Sequence, residues 1–222
     1  MEINHKLKHF LATIPENVKL IAISKTKPAE DIMEAYNAGQ RLFGENKIQE
    51  LIVKAPQLPG DIQWHFVGHL QTNKVKFIAP FVKMIHAVDS LKLLKEINKH
   101  ALKYDRVIDC LLQFHIAEET TKFGLNLKEA DDLLSNDELT NLKNIQIVGV
   151  MGMATYTDDM EQVRNEFEHL ANYMVTLKKK FFIDDHYFKE ISMGMSGDYL
   201  IAIEEGSTMI RIGTMIFGEQ NY

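Results

Sequence analysis

Cysteine is all but missing from this chain. Its 222 residues contain Cys110 alone, which excludes an intramolecular disulfide and any cysteine-built zinc cluster and fits a reducing compartment. A basic excess is missing too. With 25 Lys and Arg against 31 Asp and Glu, the formal charge is −6, and the basic footprint that a nucleic-acid backbone requires is absent. The one dense basic run, Lys178 to Lys180, falls at the end of a helical pattern, where it complements the macrodipole. No apolar run reaches membrane-spanning length, and the opening MEINHKLKHFLATIPENV has neither an apolar stretch nor a small-residue cleavage pattern. The expectation is a cytoplasmic protein with no nucleic-acid or membrane partner. Linkers, low-complexity tracts and repeats beyond a strand–helix unit are missing as well, so a single domain over residues 1–222 is expected, large enough to bury a core without staples.

What is present is alternation. Short apolar runs predict strands at Val18 to Ile23, Arg41 to Phe43, Asp61 to Val67, Met84 to Val88, Val107 to His115, Ile145 to Met151, Tyr187 to Ser192 and Thr208 to Phe217. Helical spacing fills the gaps between them. A first amphipathic helix over 3–13 carries Ile3, Leu7, Phe10 and Leu11, and Pro28 opens a second that stops at Gly39. Others run from Gly44 to Pro56 and from Leu70 to near Pro80. Asp89 or Ser90 caps the next, with Leu91, Leu94, Ile97, Ala101 and Leu102 on its apolar face. A loop holding Thr120, Thr121 and Lys122 leads to a helix at Leu127 to Leu134. The clearest stripe is Val163, Phe167, Leu170, Met174, Leu177 and Phe181, with Asp158 and Asp159 at its start, and a short helix at Tyr199 to Glu205 stops at Gly206. Eight strands alternating with helices argue for right-handed βαβ units and a parallel sheet. The fold class expected is α/β, a (β/α)8 TIM barrel with an extra N-terminal helix, with an open doubly wound sheet as the alternative.

In a barrel the functional groups gather at the carboxyl ends of the strands. The first strand runs out at Ser24, Lys25 and Thr26, placing Lys25 where the chain leaves the core. A lysine against apolar walls loses proton affinity and becomes nucleophilic; the alternative is an ordinary solvated lysine. Gly44, Glu45 and Asn46 follow the second strand; Gly68, His69, Gln71, Asn73 and Lys74 the third; Gly152, Met153 and Thr155 the sixth. The seventh gives Ser192, Gly194, Ser196 and Gly197, and the eighth Arg211, Gly213 and Thr214. Glycines with hydroxyl residues after the last two strands are how this fold commonly holds a phosphate, although each is also an ordinary turn residue. A reactive lysine, a phosphate cradle and an arginine fit one ligand, pyridoxal 5′-phosphate (PLP).

Five words carry a resemblance across nearly the whole chain: AISKTKP (Ala22 to Pro28), FGENKIQE (Phe43 to Glu50), WHFVGHLQTNK (Trp64 to Lys74), SMGMSGD (Ser192 to Asp198) and RIGTMIFG (Arg211 to Gly218). With them the chain resembles the YggS/PROSC family of PLP-binding proteins, itself similar to the amino-terminal barrel of alanine racemase. The resemblance implies that Lys25 carries PLP as a Schiff base. It implies that Ser196, Gly213 and Thr214, with Gly197, hold the phosphate, that Asn46 lies beside the cofactor, and that Arg211 faces the pyridine nitrogen. It implies a role in PLP homeostasis, buffering the aldehyde or delivering it to apo-enzymes without robust turnover. A guanidinium stays protonated and discourages protonation of the ring nitrogen, which weakens the cofactor as an electron sink.

The alternative from another class is a PLP-dependent amino-acid racemase. Alanine racemase takes its second base, a tyrosine, from a second domain and a partner subunit. This chain runs four residues past Gly218, so no such domain is expected, and a monomer is. Tyr156 offers a substitute base, against a plain packing role. A protein that senses the cofactor through a partner is a third reading. No catalytic residue and no metal ligand is assigned: His65 and His69 lie roughly 13 Å apart if both are on a strand. GMSGD lacks the second glycine of a nucleophile elbow, and no Walker motif occurs. Lys27 either depresses the proton affinity of Lys25 or starts a helix in solvent; solvent is the reading taken. The methionines, including Met193, Met195, Met209 and Met215, read as core filler.

Overall fold

A computed structural model describes residues 2–118 and 123–219; Thr120, Thr121 and Lys122 lie outside them. Eight parallel strands form a closed barrel in chain order: β1 (Lys19–Ile23), β2 (Leu42–Glu45), β3 (Gln63–Phe66), β4 (Met84–Val88), β5 (Ile108–Phe114), β6 (Ile145–Gly152), β7 (Glu190–Ser192) and β8 (Met209–Ile212). The open-sheet alternative is excluded by the pairing of β1 with β8, Leu20 opposite Ile210 and Ile21 opposite Arg211.

Around the barrel lie α1 (Glu2–Leu11), α2 (Ala29–Asn37), α3 (Ile48–Lys54), α4 (Val75–Ile78), α5 (Leu91–Leu102), α6 (Leu127–Leu134), α7 (Met160–Phe181), α8 (Tyr199–Glu204) and α9 (Thr214–Phe217). Local chemistry explains their ends. Ser90 caps α5 by accepting from Leu93 N–H, and Asn126 and Glu129 close a reciprocal capping box on α6. Asp159 accepts from Glu161 and Gln162 N–H at the start of α7, whose last turn carries Lys178, Lys179 and Lys180. Gly39, at φ +107°, ends α2 in the left-handed conformation.

Several boundaries differ from the sequence reading. Pro28 caps α2 from outside rather than opening it. β2 extends through Gly44 and Glu45, because Glu45 finds a buried cation (below). The Leu70 to Pro80 stretch breaks into a 3-10 turn and one α-turn. The run from Thr208 to Phe217 is not one strand: it ends at Ile212, and α9 begins at Thr214. Leu11 and Leu102, expected on apolar faces, are exposed, as are Met195 and Met215, whereas Met193 and Met209 are buried.

Two apolar layers result. The larger joins the outer faces of the strands to the helices, with Phe43, Phe66, Phe114, Phe167 and Phe188 fully buried. The smaller fills the barrel interior with Ile21, Met84, Ala87, Leu111, Val148, Met151 and Met209. Gly149 lets β6 and β7 come together, since a Cβ there would run into the backbone of Glu190. Gly149→Ala is expected to cost about 1–3 kcal/mol in urea unfolding, as overpacking does. Gly60→Ala, at an exposed turn with nothing within 4 Å of an added Cβ, should stay within about 0.5 kcal/mol of wild type.

Candidate functional site

At the carboxyl end of the barrel lies a cavity of about 830 Å³. All seven candidates from the sequence, Lys25, Asn46, Ser196, Gly197, Arg211, Gly213 and Thr214, line it. The β1–β8 register explains this, because Ile21 lies opposite Arg211 and Ala22 opposite Ile212, so Lys25 leaves β1 where Gly213 and Thr214 leave β8.

Lys25 sits in a strained turn. Thr26 has φ +63°, a conformation that β-branched residues rarely adopt, and it persists only where the surroundings over-determine it. Here they do. Lys27 N–H donates to Ser24 O (3.1 Å), and Thr26 N–H donates to Glu50 Oε2 (2.7 Å). Ser24 Oγ–H donates to Glu45 Oε1 (2.7 Å), and the Lys54 ammonium donates to Ser24 O (2.9 Å), Glu45 Oε1 (2.8 Å) and Glu50 Oε2 (2.9 Å). A buried cation and two carboxylates thus clamp the residues on both sides of Lys25. Burial pushes the Glu45 carboxyl above its ordinary range against the bonds from Lys54. Partial burial pushes Glu50 the same way, but the hydrogen bonds from Lys54 and Thr26 bring it below. Among the described residues the Lys25 amine itself makes no hydrogen bond or ion pair.

Across the cavity, Arg211 is 5% exposed and donates to Ser192 Oγ (2.7 Å) and Gly152 O (3.0 Å) rather than to a carboxylate. Burial pulls its pKa down to about 10, so it stays charged at neutral pH. At the third corner Thr214 Oγ–H donates to Ser196 Oγ (3.0 Å), joining the turns after β7 and β8. Asp198 Oδ1 accepts from Met195 N–H and shapes the first of those turns. Asn46 Oδ1 is buried without a hydrogen-bond partner among the described residues. Its backbone is in place because Gly68 has no side chain; a Cβ there would overlap the Asn46 carbonyl.

Other strand-end candidates go elsewhere. Gly68, His69 and Met153 line the cavity, whereas Asn73 and Lys74 lie in a 3-10 turn that Gln71 precedes, and Thr155 is bonded to Glu166. Lys27, half-buried, donates to Glu219 O (2.7 Å). Tyr156 lines the mouth and is 97% exposed rather than packed into the core. His65 is bonded to His86, while His69 stacks on Phe123. Sequence reading missed Gln113 and Phe123 in the lining, and it missed the Glu45–Lys54 clamp. The available signal for the clamp was the i, i+4 pair Glu50 and Lys54 following an acidic residue in an apolar strand. Lys54→Met should destabilise the fold by about 3–5 kcal/mol, because it strands a buried carboxylate; the double variant with Glu45→Leu should recover most of that loss in denaturant titration.

Over residues 1–221 the chain matches the family model described as alanine racemase, N-terminal domain. Curated relatives include the pyridoxal phosphate homeostasis protein of Aquifex aeolicus, 39% identical over 205 residues (92% of this chain, 88% of that protein). The protein of the same name from Vibrio alginolyticus is 39% identical over 213 residues (94% and 89%). Among solved structures, PipY of Synechococcus elongatus superimposes without PLP at TM-score 0.91 and with PLP bound at 0.88. In both, identity is 34%, with 97% of this chain and all of that chain covered. The alanine racemase of Clostridium difficile shares the fold alone, at 12% identity and TM-score 0.76, with this chain covering 57% of it. A full-length family match, relatives near 39% identity and a barrel that closes in the same way place this chain in the alanine racemase N-terminal domain family, among its YggS/PROSC pyridoxal phosphate homeostasis proteins.

Proposed function

We propose that this chain, acting as one domain, binds PLP through Lys25 and serves PLP homeostasis, buffering the aldehyde and passing it to apo-enzymes with no robust turnover of its own. The observation that carries the reading is the convergence in one cavity of a primary amine with no hydrogen bond or ion pair among the described residues, a buried guanidinium hydrogen-bonded to a hydroxyl and a carbonyl, and a hydroxyl pair between two glycine turns. Asn46 Oδ1 adds a buried acceptor with no donor among the described residues, as expected where a ligand completes the site. The PLP-bound structure of PipY supports the same ligand.

PLP brings a reactive aldehyde, which condenses reversibly with a primary amine and releases water. Lys25 is that amine, and its Schiff base is exchangeable with another amine, which suits storage and delivery. The clamp of Lys54, Glu45 and Glu50 fixes the turn from which Lys25 reaches into the cavity. Ser196 and Thr214, with the turns at Gly197 and Gly213, meet the phosphate. Arg211, charged at neutral pH, donates to the pyridine nitrogen and keeps it unprotonated, so the ring withdraws electrons weakly and carbanion chemistry is muted. The cytoplasm and a monomeric state belong to the same proposal.

Freshly purified protein is expected to show a visible band that borohydride abolishes, leaving a pyridoxyl adduct on the Lys25 peptide in mass spectrometry. Lys25→Ala should lose both. A colourless protein that takes up no added PLP would overturn the ligand. Rapid α-deuteration of L-amino acids in heavy water, lost in Lys25→Ala, would instead reveal a racemase-type enzyme. Ser196→Ala with Thr214→Ala removes two hydrogen bonds to a charged phosphate, each worth about 1.5–3 kcal/mol. The double variant should therefore weaken PLP binding by at least about tenfold in equilibrium titration while leaving unphosphorylated pyridoxal nearly unaffected.

A further inference from the structure

Arg211 is the cavity end of a hydrogen-bonded chain that crosses the barrel interior. Arg211 bonds to Ser192 Oγ at 2.7 Å, Ser192 Oγ lies 2.9 Å from His86 Nδ1, and His86 Nε2 lies 2.8 Å from His65 Nδ1. The four residues come from β8, β7, β4 and β3, and none is more than 5% exposed. His65 Nε2, at the far end, is buried without a hydrogen-bond partner among the described residues.

Counting protons gives this chain a direction. A guanidinium only donates, so Ser192 Oγ accepts from Arg211. The Ser192 hydroxyl still carries one hydrogen, and His86 Nδ1 is the acceptor it meets among the described residues. If Ser192 donates there, His86 is protonated at Nε2 and donates to His65 Nδ1, and His65 is protonated at Nε2. One buried group, the His65 Nε2–H, is then unsatisfied. Were the arrows between Ser192 and His65 reversed, the hydroxyl hydrogen and the bare His65 Nε2 would both be orphaned. The first arrangement leaves fewer unmet buried groups, each of which costs about 1–3 kcal/mol. The surroundings keep both rings neutral, as either direction requires. Burial and the ammonium groups of Lys19 and Lys83 hold the His65 pKa down to about 3, and burial, His65 and Arg211 hold His86 well below its ordinary value. Lys19 and Lys83 are paired with Glu190 and Asp109 at the rim of the barrel.

We propose that His86 and His65 are positioning residues for Arg211: their directed chain through Ser192 turns a serine lone pair onto the guanidinium and fixes its aim into the cavity. Two neutral rings leave Arg211 the single cation of the chain, and donors running in one direction polarise one another. The guanidinium is thereby set as a donor for a neutral acceptor atom of the ligand; that this atom is the pyridine nitrogen rests on the PLP reading.

The test uses nitrogen NMR on wild-type protein freed of aldehyde with hydroxylamine, which needs no cofactor. Both buried imidazoles are expected as neutral Nε2–H tautomers at pH 7, and Arg211 is expected to give resolved, slowly exchanging Nη–H signals. Either ring found as the Nδ1–H tautomer or as an imidazolium would overturn the proposal on wild-type protein alone. In His86→Leu the resolved Arg211 signals should be lost, and His86→Asn, which keeps an acceptor near the Nδ1 position, should restore them. Retention of those signals in a folded His86→Leu protein would also overturn it. A third reading separates the two claims: after PLP is added, the visible band should shift in His86→Leu and return in His86→Asn. A wild-type protein that takes up no PLP would defeat the cofactor reading, while the nitrogen signals still decide the chain.

Discussion

A parallel sheet has two edges whose N–H and C=O groups lack partners, and here β1 and β8 satisfy one another. That closure is the constraint on which the rest of the molecule depends. It encloses an interior that must be filled by side chains from the strands, and it brings the turn holding Lys25 beside the turn holding Gly213 and Thr214. It also joins residues near the start of the chain to residues near its end. The amine and the hydroxyl pair share a cavity because their strands share hydrogen bonds.

Among the described residues, two buried cations, Lys54 and Arg211, have different surroundings. Lys54 is met by two carboxylates and a carbonyl, so its charge is compensated inside the protein. Arg211 is met by a serine hydroxyl and a carbonyl, both neutral. A buried ion pair contributes little net stability, since the desolvation of both partners offsets their attraction. The value of the Lys54 cluster is positional, holding Thr26 in a left-handed conformation that threonine alone would abandon. Arg211 has five N–H donors, and its hydrogen bonds to Ser192 and Gly152 leave donor capacity toward the cavity, with Asp198 acting on it as a nearby negative charge. One cation thus shapes the backbone around the amine, and the other stays available to a ligand.

Much of this architecture was readable from residue order. Alternating apolar runs and amphipathic stripes predicted eight strands and a closed barrel, and α5 and α6 fall on the predicted ranges because Ser90 and Asn126 cap them locally. Boundaries failed where a distant partner decided them. Glu45 reads as a loop residue until Lys54 arrives from α3, and Thr208 to Phe217 reads as one strand although only four residues pair with β1. Tyr156 reads as a packing residue because aromatic rings usually bury, yet its turn holds it at the exposed mouth of the cavity.

The sequence by itself determined the period of the chain, seven of the cavity residues (Lys25, Asn46, Ser196, Gly197, Arg211, Gly213 and Thr214) and the family likeness, because strand periodicity and turn chemistry are local properties and short motifs survive as contiguous words. Tertiary structure alone decided the company of the buried polar groups. His65 and His86 are 21 residues apart and Ser192 a further 106, and nothing in MIHAV or QWHF says which ring will meet which hydroxyl. A buried polar group must find a partner, but closure of the barrel chooses it, since only the closed form sets β3, β4, β7 and β8 around one interior.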